Sequence, residues 1–89
     1  IMPVLNEEKT IQKRIIEIDF ILQKYKEAEL IIVESNSIDE SRKLITELKN
    51  NWNSKVKLKL LFESRPKGKG FAVRSGLKLC SYDVIAIFA

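Results

Sequence analysis

The sequence predicts an α/β chain: a parallel sheet with helices on both faces. Three observations carry the prediction. Leu30–Val33 and Val84–Ala89 are uninterrupted apolar runs of the kind found in strands covered on both sides. Between such runs, apolar residues recur at three- and four-residue steps, the spacing of a helix face. Extended and helical signals alternate in the order βαβαβαβ, and right-handed crossovers turn that order into a parallel sheet.

Ile1–Leu5 is a short apolar run interrupted by Pro3, read as a strand ending in a loop. A helix is predicted from Glu7, because Ile11, Ile15, Ile18, Leu22 and Tyr25 fall on one face, with Asn6 placed to cap it. Leu30–Val33 follows as a buried strand. Ser37-Ile38-Asp39-Glu40 matches a capping box and predicts a second helix through Leu44, Ile45 and Leu48, ending at Asn50-Asn51. Trp52 is expected to pack just beyond it. Lys55–Leu60 alternates lysines with apolar residues, the pattern of an edge strand guarded against stray pairing. Arg65–Gly70 is a turn-rich loop, and Val73, Leu77 and Cys80 mark one face of a third helix. Val84–Ala89 is the last predicted strand, with Ile85, Ile87 and Phe88 buried. Phe71, Trp52 and Tyr25 are read as core or cover residues.

With 89 residues, 45% apolar and 31% charged, the chain is neither disordered nor collagen-like. Its apolar runs fall far short of the roughly 20 residues a membrane-spanning helix needs. One cysteine excludes an internal disulfide and fits a reducing compartment, so the expected location is cytoplasmic, at or near the cytoplasmic face of a membrane. The absence of histidine removes Ser-His-Asp and Cys-His mechanisms and most zinc sites. Charge is uneven: residues 1–44 carry a net −2 and residues 45–89 a net +6. Arg65, Lys67, Lys69, Arg74 and Lys78 form an acid-free basic stretch that suggests an anionic ligand, with a merely solvated face as the plain alternative.

A parallel sheet gathers ligands at the carboxyl ends of its strands, where Pro3–Glu8, Glu34–Asp39 and Lys67–Gly70 converge. Pro3-Val4-Leu5-Asn6-Glu7-Glu8 resembles the P-x-x-N-E-E opening of family-two glycosyltransferases. Val33–Asp39 resembles their V-D-D-G-S-x-D segment, Gly68–Leu77 their G-K-G-x-A-x-x-x-G-L, and Tyr82–Ile85 the G-D-x-I before the metal motif. The resemblance covers essentially the whole chain, in order and spacing. Within the family it runs closest to the polyprenyl-phosphate (dolichyl-phosphate) sugar transferases.

The resemblance implies a Rossmann-like GT-A fold and transfer of a sugar from a nucleoside diphosphate sugar to an acceptor, with polyprenyl phosphate as the candidate. By it, Pro3, Leu5 and Val33 line the nucleoside pocket, Glu7 accepts from the ribose hydroxyls, and Glu34 and Ser35 stand where two aspartates usually meet the base. Ser35 carries no charge, so base identity is left open. Lys69, between glycines at a helix start, is the candidate for the diphosphate. The plain readings are that Glu7 and Glu8 only stabilise a helix start, that Ser37 and Asp39 are caps, that Gly76 is a packing contact and that Asp83 is structural. A magnesium or manganese ion is implied for the full enzyme, with its D-x-D ligands expected just past Ala89. Residues 1–89 are accordingly expected to be one truncated nucleotide-sugar-binding part, inactive alone.

The competing function is a non-catalytic module holding nucleic acid or a membrane surface through residues 65–78. Against it, interleaved exposed aromatics and a helix-turn-helix pattern are missing, so no nucleic-acid partner is expected. A nucleotidyltransferase ranks last, because its glycine-rich signature does not follow the first strand.

Overall fold

Three parallel strands, β1 (Met2–Val4), β2 (Glu29–Glu34) and β3 (Lys57–Phe62), lie side by side in that order in the computed structural model, which describes residues 1–88. Helices α1 (Ile11–Leu22), α2 (Ser41–Asn50) and α3 (Lys69–Leu77) connect or follow them. The register aligns Val4, Glu34 and Phe62 at the carboxyl edge. β3 is an edge strand, as its alternating lysines predict.

Strand alternation sends Met2, Val4, Leu30, Ile32 and Leu58 to one face, where Ile11, Ile15 and Ile18 of α1 and Ile45 of α2 cover them. Ile1, Ile31 and Val33 turn to the other face and meet Ala72 of α3. The predicted α/β architecture with helices on both faces is therefore present. Ile11, Ile15, Ile32 and Ile45 are fully buried, and removing each such side chain from water contributes about 1.5–3 kcal/mol. Gly76 permits the close approach of α3, since a Cβ there would stand 2.8 Å from Ile1 Cγ2 and 3.2 Å from Val33 Cγ2. It is a packing residue, as read from sequence.

Several local expectations are corrected. α1 starts at Ile11 and not Glu7, because a turn intervenes in which the Glu7 carbonyl accepts from the Thr10 and Ile11 amides. Tyr25 is exposed, lying past the end of α1. The Ser37–Glu40 capping box does not form: α2 begins at Ser41, and Ser37 Oγ instead accepts from the Asn6 amide. In α3 the buried residues are Ala72 and Gly76, whereas Leu77 is exposed. Lys59 is no free guard; it bonds the Leu79 carbonyl and Ser81 Oγ and pairs with Glu29, tying the end of α3 to the sheet. Trp52 does pack past α2, donating from Nε1 to the Val56 carbonyl at 2.7 Å.

The last predicted strand is the largest correction. Residues 84–88 form no strand, and Ile85 and Ile87 are 42% and 54% exposed; Ala89 lies outside the described residues. The Ile1 nitrogen donates to the Ala86 carbonyl and the Phe88 amide to the Ile1 carbonyl, the pattern of one parallel bridge beside β1. Phe88 alone of this run packs on the α1/α2 core. An apolar run becomes a buried strand only when neighbours cover it, and Ile85 and Ile87 stay largely uncovered.

Candidate functional site

The loops after β1 and β2 are laced together. The Asn6 amide donates to Ser37 Oγ at 2.9 Å, and Asn6 Oδ1 accepts from the Ile38 amide at 2.9 Å. Glu8 and Asp39 repeat the exchange: the Glu8 amide donates to Asp39 Oδ2, and the Glu40 amide to Glu8 Oε2. Between these pairs, the Glu7 amide donates to Ser41 Oγ at 2.7 Å. Asn6 and Asn36 both adopt left-handed backbone, at φ 52° and 56°, conformations that asparagine tolerates better than most residues. Asn6 is thus a loop-to-loop tie and not a helix cap. Asp39 also accepts from the Ser41 amide, but the N-cap position of α2 is Glu40 and carries no side-chain cap bond. Burial would raise the Asp39 carboxyl, but bonds from Ser41 and Glu8 outweigh it and hold it below its ordinary value.

Glu34 and Ser35 follow each other in sequence and face opposite sides of the sheet. Glu34 is fully buried on the α1/α2 side. Its carboxylate accepts from Arg42 Nε at 2.5 Å and from the Asn36 and Ser37 amides at 3.1 and 2.7 Å. Burial pushes its carboxyl up, yet the bonds from Ser37 and the Arg42 charge dominate and hold it below 4.5. Glu34 holds the loop from behind. Arg42 in turn donates to the Glu63 carbonyl at 2.8 Å and stacks on Phe62, 4.8 Å from its ring centroid.

One position beyond the strands, the Ser35 amide still bonds the Val4 carbonyl and the Glu63 amide the Glu34 carbonyl, so the ladder places Leu5, Ser35 and Glu63 in a row. This row shares the α3 side with Pro3, Val33 and Leu61. Pro3 and Val33 are buried, and Leu5 is 42% exposed. Ser35 Oγ donates to Glu63 Oε1 at 2.7 Å between two buried side chains. Glu63 was not singled out from sequence. The signal was a carboxylate directly after the third strand, but only the register brings it beside Ser35. Glu7 lies in the turn before α1, and its carboxylate pairs with Arg14 of that helix.

The third loop ends on Gly68, whose φ of 91° suits glycine, and α3 opens at Lys69. Lys69, Arg65, Lys67, Arg74 and Lys78 are all exposed and make no ion pair among the described residues. Lys67 and Arg74 flank Phe71, at 4.7 and 5.9 Å from its ring centroid. Free α3 amides and unpaired cations make this end of the helix suited to an anion.

No group of three Asp, Glu, Cys or His side chains among the described residues could hold a metal ion. Glu7 is engaged by Arg14, and Glu34 by Arg42 and backbone amides, so the residues present do not fit a divalent site. No described helix is long and apolar enough to cross a membrane.

Comparison with curated proteins gives no significant match, and comparison with solved structures gives none either. The sequence model of glycosyl transferase family 2 matches residues 1–88. With the parallel sheet, the convergent loops and this match over nearly its whole length, the chain belongs to glycosyl transferase family 2.

Proposed function

We propose that this chain is the donor-nucleotide-binding part of a transferase that moves a sugar from a nucleoside diphosphate sugar to an acceptor, a polyprenyl phosphate in the closest resemblance. The observation that supports it best is the meeting of three loops at one sheet edge, where the exposed Leu5, a polar pair at Ser35 and a cation, Lys69, at a helix start come together, with Pro3 and Val33 buried behind them. In this reading Leu5 packs on the nucleoside, while Pro3 and Val33, read from sequence as lining residues, are core residues behind it; Ser35 faces the base, Glu7 accepts from the ribose hydroxyls, and Lys69 neutralises the diphosphate. Glu34 contributes by fixing the loop that carries Ser35.

A magnesium or manganese ion remains a proposal for the full enzyme; the described residues form no site for it, and the isolated chain is proposed to be inactive. The test is Lys69→Ala in the intact transferase. Donor affinity or turnover should fall about tenfold or more, in keeping with one charge-assisted contact of about 1.5–3 kcal/mol. Unchanged donor kinetics would remove Lys69 from the site.

A further inference from the structure

No strand pairs the outer edge of β3 among the described residues. In a parallel pair the backbone turns to its neighbour at every second residue. The Lys57 amide donates to the Ala28 carbonyl and the Glu63 amide to the Glu34 carbonyl, so residues 57, 59, 61 and 63 face β2. Val56, Leu58, Leu60 and Phe62 therefore turn their amides and carbonyls outward. Such a row of backbone groups is a template for a further strand.

The chain closes the first half of this edge with its own side chains. Lys49 Nζ, from the last turn of α2, donates to the Leu58 carbonyl at 2.8 Å. Trp52 Nε1 donates to the Val56 carbonyl at 2.7 Å, and the Val56 amide donates to Ser54 Oγ at 3.1 Å. These groups are themselves held: Trp52 packs on the α1/α2 core, and Ser54 Oγ donates to Asp19 Oδ1 at 2.6 Å. Lys49 makes no ion pair among the described residues, so its ammonium is committed to the carbonyl. The lysines of β3 do not share this task. Lys59 is bound to Glu29, Leu79 and Ser81, and Lys57 is exposed. Only Leu60–Phe62 stays open, the short limit of a strand.

We infer that Lys49 and Trp52 are plugs that keep β3 from pairing edge to edge with a second copy of this chain. A second copy is the natural occupant, because the same edge on two copies is self-complementary about a two-fold axis. In an antiparallel meeting centred on Leu60, the Leu58 carbonyl would accept from the Phe62 amide of the second copy. Lys49 already holds that acceptor. The inference is independent of the donor-site reading.

The test is sedimentation velocity of the intact transferase over a concentration series, joined to amide hydrogen exchange. Lys49→Met and Trp52→Phe together remove the two donors and keep the stem and the ring. The double variant should half-associate at a concentration at least tenfold below that of the wild-type protein. The Leu60 and Phe62 amides should gain protection in the associated form. Lys43→Met removes the same charge from α2 at a residue that pairs with Glu40, and it should match the wild-type protein. The inference is overturned if the double variant associates no more than wild type, if Lys43→Met associates equally, or if association leaves those two amides fast-exchanging. A further arm needs no variant, so misfolding cannot shelter the idea: the wild-type Trp52 indole N–H should exchange at least tenfold more slowly than that of free tryptophan. Exchange at the free rate would show that the plug is not in place.

Discussion

Replacing Glu34 by glutamine keeps the shape of a fully buried side chain and removes its charge. Three donors converge on that carboxylate: Arg42 Nε and the amides of Asn36 and Ser37. A hydrogen bond to a charged group contributes about 1.5–3 kcal/mol net. Asn36 is exposed and the Arg42 side chain is 36% exposed, so those two regain water when the charge is gone. Their contribution shrinks accordingly. In addition, the glutamine NH2 must face at least one donor that it cannot accept from. The expected loss is about 2–3 kcal/mol, read as a lower urea midpoint at unchanged slope.

The pH dependence gives a second reading of the same group. The Glu34 carboxyl is held below its ordinary 4.5 in the fold, so its stabilisation is fully present above that value. As pH falls through the lowered folded value, the wild-type protein binds the proton and loses the advantage. Wild type and Glu34→Gln should therefore converge in acid and differ most at neutral pH. Equal midpoints at pH 7, within about 0.5 kcal/mol, would refute the loop-holding role.

Other perturbations probe the packing and the lacing. Gly76→Ala pushes a methyl group to 2.8 Å from a β-branched side chain, an overpacking cost of about 1–3 kcal/mol. The gain in helix propensity offsets up to about 1 kcal/mol of that, so thermal unfolding should show a net loss, and a gain in stability would contradict the close contact. Asn6→Ala places alanine at φ 52° and cuts the bond to the Ile38 amide, a loss of about 2 kcal/mol. Asn6→Gly should recover the conformational part of it; equal losses in both variants would show that backbone strain is not involved. Manganese titrated into the isolated chain without nucleotide should give no micromolar site, and stoichiometric binding would place metal ligands within it.

The fold class was legible in the sequence because it depends on periodicity and order alone. Ile11, Ile15 and Ile18 repeat at helical spacing and are buried, and Leu30–Val33 is hydrophobic on both faces because both faces are covered. The glycine at position 76 was legible too, as a close packing contact. What failed were the ends of elements. Ser37 and Glu40 have the chemistry of a capping box, yet the first loop offers them better-placed partners, and a local motif yields when a tertiary one competes. Val84–Ala89 has the composition of a buried strand, but burial belongs to the neighbours and not to the run, and the described residues supply only one bridge to Ile1. The candidate site divides the same way. Sequence alone determined that three loops with a proline, a serine and a lysine end at one sheet edge. Tertiary structure decided which residues share a face there. The two-residue period of a strand turns Glu34 inward to Arg42, and the register between strands sets Glu63 beside Ser35 across 28 residues of chain, a proximity that no local spacing encodes.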